Sequence, residues 1–256
     1  MGLRLSGEPA ADLAAVAAAF TRLPYENLSK ILRHADSGGV PHRSPQIVLA
    51  EFKRYGAGGT CFALAATLLH LVRSLGLRAE PILADRSYGP NTHCALFVWL
   101  DGLPHLVDPG YLVADPVPID LRAERRIAGP FNDLVLTPDP AGRIHLATAA
   151  PGAPSPKRRA LSYRTDPAAP EEFMAAWDAS FDWDMMHYPL LSRVVAGEQI
   201  YLQNNRLQRR TRGGVCVERL AMDQLAPCIT RWFGVDAAMA SRAVRTLQGR
   251  GDLPHG

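Results

Sequence analysis

"GAGGTCFALAATLLHLVRSLGL", residues 56–77, sets a cysteine directly behind a glycine-rich turn and at the head of an apolar helical pattern. Leu64, Leu68, Leu71, Val72 and Leu75 recur at helical spacing, which predicts a helix from about Thr60 to Ser74, with Gly76 as its stop. Cys61 then stands at the helix N-terminus. It is either a small core residue or a nucleophile whose thiolate is favoured by the positive end of the helix. The surrounding chain has to choose between them.

Upstream, Pro9 opens a helix that runs to residue 20. LPYENL (23–28) breaks it, because a residue before proline avoids helical geometry. Ser44-Pro45 opens a second helix with Ile47, Val48 and Phe52 on its apolar face. Downstream of Gly76 the pattern turns to strands: LRAEPILADRSY (77–88), HCALFVWL (93–100) and LPHLVDPGYL (103–112). Asp101-Gly102 joins the last two as a hairpin turn. Short apolar runs continue to about residue 165 and predict a barrel or strongly curved sheet, with a surface loop at 151–159. Pro170 opens another helix; strands follow at 199–203, 206–212 and 215–219, then helices at 223–233 and 236–248. Helices followed by strands followed by a mixed segment indicate an α+β fold.

The chain has 256 residues, 47% of them hydrophobic and 21% charged, the composition of an ordinary globular protein. A net charge of +3 is too weak to argue for nucleic acid and is compatible with a small anionic ligand. The apolar stretch Leu13 to Phe20 is short and lacks a basic flank, so no secretory leader is read there. No apolar run reaches the roughly 18 residues of a membrane span. Four cysteines without a leader lead us to expect reduced thiols in a cytoplasmic setting.

His93 begins one strand of the hairpin and Asp108 ends the other. Antiparallel pairing about the turn brings the two within side-chain reach. An imidazole beside Cys61 can take the thiol proton, and a carboxylate can fix the imidazole tautomer and support its cationic form. Glycines before Cys61 let backbone N–H groups approach a developing oxyanion.

LPYENL, GGTCF, THCALFVW, LVDPGYL and DPVPI, in that order between about residues 20 and 120, resemble the arylamine N-acetyltransferase family. RWFGVD (231–236) is similar to that family's late helix-turn. The resemblance implies a helical bundle over 1–78, a β-barrel over 79–168 and an α/β lid over 169–256. It makes Cys61 the acyl-accepting nucleophile, His93 the base and Asp108 its orienter. It also implies a coenzyme A thioester, or a carrier-protein thioester, as donor and a small amine as acceptor. Ala57, Ala63 and Ala65 depart from the family's Arg, Glu and Asn, which deprives Glu26 of its usual cationic partner. A pocket rebuilt in this way also suits an amide synthase or cyclase of natural-product assembly, or an inactive binding homologue. A cysteine peptidase or transglutaminase would use the same three residues, but the flanking segments fit those enzymes less well.

Phe62, Tyr111, Met185 and Tyr188 are the expected pocket residues, the last two from the stretch FDWDMMHYP (181–189). Arg206 and Arg209, in the basic run NRLQRRTR, suit the phosphates of coenzyme A, although a solvated strand face explains such a run as well. Lys157-Arg158-Arg159 is read as surface charge, and Cys216 and Cys228 as small buried residues. A metal site is not expected: adjacent His93 and Cys94 point to opposite faces of a strand, and no C-x-x-C or H-x-x-x-H occurs.

Overall fold

A computed structural model describes residues 3–37, 39–111, 113–153 and 158–254. Four helices lead: α1 (Pro9–Phe20), α2 (Leu28–Ser37), α3 (Pro45–Tyr55) and α4 (Cys61–Ser74), with the short strand β1 (Tyr25–Glu26) between the first two. The apolar spacing in α4 buries Leu64, Leu68 and Val72, each worth about 1.5–3 kcal/mol by removal from water. In α3 the Ser44 side chain accepts from the Ile47 N–H and Val48 is buried, whereas Ile47, expected on the inner face, is exposed.

LPYENL is not merely a break. Tyr25 and Glu26 pair with Ser192 and Leu191 of β10 (Leu190–Val195), and α2 follows at once. Its signal was present in Leu28, Ile31 and Leu32, at helical spacing and all buried.

The central strands β2 (Ala79–Arg86), β3 (Gly89–Leu100), β4 (Leu103–Asp108), β5 (Val113–Pro118), β6 (Arg125–Ala128), β7 (Asp133–Pro138), β8 (Arg143–Ala149) and β9 (Arg158–Arg164) form one antiparallel sheet. Its order is β5-β4-β3-β2-β9-β8-β7-β6. Of the barrel or strongly curved sheet expected, the structure shows the second: a curled, open half-barrel whose edges β5 and β6 do not pair with each other among the described residues. Two arginines in the short, mostly exposed β6 guard that edge.

Both faces of β3 are covered. Ala95 and Phe97 join Ile82, Ala84 and Leu106 in the core inside the curl, while Cys94, Leu96 and Val98 pack toward the helices. Double burial explains why HCALFVWL is a continuous apolar run without alternation. The hairpin turn holds as expected, with Asp101 and Gly102 both at positive φ (50° and 80°). Because β3 begins at Gly89, His93 lies within the strand and not at its start.

After α5 (Pro170–Ala179), strands β10, β11 (Glu198–Gln203), β12 (Arg206–Thr211) and β13 (Gly214–Arg219) extend the sheet begun by β1. Helices α6 (Met222–Phe233) and α7 (Ala237–Gly249) complete the chain's regular structure. This second sheet is antiparallel, so the C-terminal region is α+β and not alternating α/β. Cys228 is buried as expected, but Cys216 is exposed on β13. Positions 154–157 of the 151–159 loop, Lys157 included, lie outside the described residues.

Candidate active site

The cysteine's position is fixed from behind by a backbone clamp. The Glu26 N–H donates to the Gly59 carbonyl at 3.0 Å and the Gly59 N–H to the Pro24 carbonyl at 3.3 Å. A Cβ on Gly58 would lie 1.8 Å from the Pro24 oxygen, so this approach requires glycine. The clamp hands the chain to Thr60, the N-cap, and Cys61 becomes the first residue of α4.

The hairpin register brings up the other two groups. Leu96 opposes Val107 and Phe97 opposes Leu106; one step further sets Asp108 opposite Ala95 and diagonal to His93 on the same face. His93 Nε2 lies 2.7 Å from Asp108 Oδ2, and both side chains are fully buried. The carboxylate is held by two further donors: the Tyr111 N–H reaches Oδ1 at 2.9 Å and the Tyr163 hydroxyl reaches Oδ2 at 2.5 Å. Tyr163 opposes Ala84, which in turn opposes His93, so with Asp108 on β4 the cluster spans four adjacent strands, β4, β3, β2 and β9.

Gly110 locates Cys61 against the imidazole. A Cβ built there would stand 2.9 Å from Cys61 Cβ and 2.9 Å from His93 Cε1. Those two atoms therefore flank one point and lie within about 5.8 Å of each other. Gly110→Ala is expected to force the Cys61 side chain and the imidazole ring apart. The expected result is a fall of about 100-fold in any Cys61-dependent turnover and about 1–3 kcal/mol of destabilisation from overpacking. Initial rates and urea melts check both.

The electrostatics favour an ionised sulfur. Contact with the Cys94 thiol, together with the N–H and charge of His93 and the charge of Arg86, outweighs burial and holds the Cys61 pKa well below the ordinary thiol range. Burial opposes an imidazolium at His93, but the charge and hydrogen bond of Asp108 and the contact with Cys61 raise its pKa. Burial and the neighbouring Cys61 push the Cys94 thiol the other way, well above the usual range. The α4 N-terminus adds its own positive end to the field at Cys61.

The departures near Cys61 are resolved locally. Glu26 is fully buried, and its carboxylate accepts from the Ser29 N–H at 2.9 Å and the Ser29 hydroxyl at 2.5 Å, in the first turn of α2. Ala57 offers the glycine turn no cation, but Arg43 reaches it from the loop before α3. Its guanidinium donates to Glu51 and to the Gly58 carbonyl, each at 2.9 Å. It thus braces the glycine turn from a different loop, with a different acid.

Of the expected pocket residues, Tyr111 stands at the cluster, its ring edge-on to His93 with centroids 6.5 Å apart. Tyr188 is half-buried and Met185 buried; the carbonyls of both accept from the Asn27 side-chain amide. Phe62 is fully buried against Phe173, Trp177 and Trp183. Arg209 pairs with Glu198 at 2.9 Å and lies over the Trp232 ring at 4.6 Å. Arg206 donates to Gln208 at 3.1 Å. Arg209 is thus occupied by its carboxylate partner, while Arg206 is exposed on β12.

Three groups near Cys61 went unread in the sequence. Tyr163 carried no local signal. Arg86 follows Ile82 and Ala84 in the alternation of β2 and so falls on the inward face; a cation there was the available signal. Lys30 sits among the buried residues Leu28, Ser29, Ile31 and Leu32, in a helix buried all around at its start.

No protein-family model matches the sequence, and no curated protein does. Solved structures do. The arylamine N-acetyltransferase of Mycobacterium abscessus matches over 96% of this chain and 92% of its own, with a TM-score of 0.80 at 18% identity. The Mycobacterium marinum arylamine N-acetyltransferase in complex with CoA matches over 96% and 95%, with a TM-score of 0.78 at 16% identity. An arylamine N-acetyltransferase of Bacillus cereus, described as having a Cys-His-Glu catalytic triad, matches over 92% and 93%, with a TM-score of 0.70 at 14% identity. The chain thus has the fold of the arylamine N-acetyltransferases. No helix among the described residues is long and apolar enough to cross a membrane.

Proposed function

We propose that this protein is an N-acyltransferase that passes an acyl group, acetyl in the simplest case, from a coenzyme A thioester through Cys61 to a small amine. The observation that supports this most is the 2.7 Å contact between His93 and Asp108, with Gly110 wedged against both His93 and Cys61. The likeness in fold to a CoA-bound arylamine N-acetyltransferase supports the donor class.

The chemistry follows from the proton positions. Asp108 accepts the Nε2–H of His93, which leaves Nδ1 to receive the Cys61 proton. The thiolate attacks the thioester carbonyl, the carbon–sulfur bond to Cys61 forms and the bond to the donor sulfur breaks. The leaving thiolate takes the proton from His93. In the second half the amine nitrogen attacks the Cys61 thioester, His93 removes the nitrogen's proton, and the Cys61 thiolate departs. Two half-reactions through one sulfur give ping-pong kinetics. Arg206, exposed on β12 and close enough to Tyr201 to influence its ionisation, is the cation we assign to the donor's phosphates; Arg209 is already occupied.

Incubation with acetyl-coenzyme A followed by peptide mass spectrometry tests the proposal. The expected product is one acetyl group on Cys61, discharged by an aromatic amine. No gain at Cys61 with acetyl-coenzyme A, nor with longer acyl-coenzyme A or carrier-protein thioesters, would refute it.

A further inference from the structure

Arg86 closes β2, opposite Gly89. Its Nη2 lies 3.2 Å from His93 Nδ1, and the guanidinium carbon stands 5.9 Å from the centroid of the Tyr111 ring. Its Nε is buried and has no hydrogen-bond partner among the described residues. Nor does Arg86 form an ion pair with any carboxylate there.

Arg86 is half-buried, with its Nε shut off from water, and a cation so placed without a counter-charge is costly. The ionisable groups that feel Arg86 are Tyr25 of β1, Tyr88 of the β2–β3 turn, His93 and Cys94 of β3, Asp108 of β4, Tyr163 of β9, Tyr201 of β11 and Cys61 of α4. Asp108 is the one carboxylate among them, and it is engaged by His93, Tyr163 and the Tyr111 N–H. The phenols stay neutral at physiological pH: burial raises Tyr25 and Tyr163 well above the usual range and Tyr88 and Tyr201 to a lesser degree. Cys94 is likewise held as a thiol by burial. The group left to balance the guanidinium is the sulfur of Cys61.

We propose that Arg86 is a positioning residue for the nucleophile, its guanidinium sharing the negative charge of the Cys61 thiolate with the His93 imidazolium. With thiol and imidazole both neutral, Nδ1 accepts a hydrogen bond from Nη2. When the proton moves from sulfur to Nδ1, that bond is lost, and the Nη2 and Nε donors become available to the new anion, which the guanidinium charge favours. Either protonation state thus gives Arg86 an acceptor. This deepens the acyltransferase reading, on which it rests for its function, but it concerns the free enzyme and is tested without any substrate.

The test is the pH titration of thiolate ultraviolet absorbance, taken as the difference from Cys61→Ser, in wild type, Arg86→Gln, Arg86→Lys and His93→Asn. Arg86→Gln is expected to raise the midpoint by about one pH unit or more, a tenfold loss of thiolate below it; Arg86→Lys restores most of the shift. His93→Asn is expected to keep the midpoint below the ordinary thiol value of about 8.5, because the guanidinium remains. An Arg86→Gln curve lying on the wild-type curve would overturn the assignment. If circular dichroism shows that Arg86→Gln is unfolded, His93→Asn decides alone: a midpoint at the ordinary value overturns the proposal. Failure of acyl transfer with these shifts intact would remove the acyltransferase reading and leave Arg86's effect on the thiol standing.

Discussion

Cys61→Ser is expected to lower acetyl transfer from acetyl-coenzyme A to an aromatic amine by about 10⁴-fold or more, the scale on which removing a nucleophile from an interdependent set acts. The reason lies in what the surroundings stabilise. Contact with the Cys94 thiol, the hydrogen bond and charge of His93 and the charge of Arg86 hold the Cys61 thiol well below its ordinary range. A hydroxyl at the same place stays protonated, so the same field has no anion to hold. The thiol is 3% exposed, and oxygen for sulfur keeps the shape of the site, so far-ultraviolet circular dichroism should overlay and the urea midpoint should move by about 1 kcal/mol at most. Initial rates with and without the substitution measure the effect. Retention of more than a tenth of the wild-type rate would mean that the acyl group does not travel through this sulfur.

Much of this arrangement was legible in the chain, and the reasons are local. The start of α4 was marked by glycines and then by leucines at helical spacing, and the Asp101-Gly102 turn fixed the register that sets Asp108 diagonal to His93. Short-range turn chemistry and periodicity suffice for both. What escaped was set by distance in sequence. β1 is two residues long and exists because β10, some 165 positions later, pairs with it; nothing in LPYENL announces a strand of that length. Whether the expected curved sheet closes into a barrel depends on whether β5 and β6 meet, a global property. Arg43 took over bracing of the glycine turn from a loop that no spacing rule connects to it. Cys216 fell on a wholly exposed edge strand, where residue type alone points the wrong way.

Lys30→Met should stabilise the protein at pH 6 by about 2–4 kcal/mol and lose that advantage as pH rises. Lys30 is 5% exposed, with its ammonium 2.5 and 2.6 Å from the Ser180 hydroxyl and carbonyl and 4.1 Å over the Phe181 ring. Burial lowers its pKa from 10.5 to about 7, against the upward pull of the Cys61 charge. Below pH 7 both folded and unfolded chains are protonated, and the charged lysine costs the fold about 5 kcal/mol relative to its neutral form. Between pH 7 and 10.5 the unfolded chain still binds the proton and the folded one does not, so wild-type stability climbs by about 1.4 kcal/mol per pH unit. Methionine removes that slope and keeps contact with Phe181 and Trp183. It leaves the Ser180 carbonyl without its donor, a loss of about 1–3 kcal/mol, so the sign should reverse near the top of the window. Urea unfolding of both proteins at pH 6 and pH 9 measures the difference, and parallel pH profiles would show that the buried lysine keeps an ordinary pKa. The same linkage ties Lys30 to the chemistry. In the proposed acyl-enzyme the Cys61 sulfur would no longer carry the negative charge that favours the ammonium, so Lys30 is expected to release its proton more readily there than in the free protein.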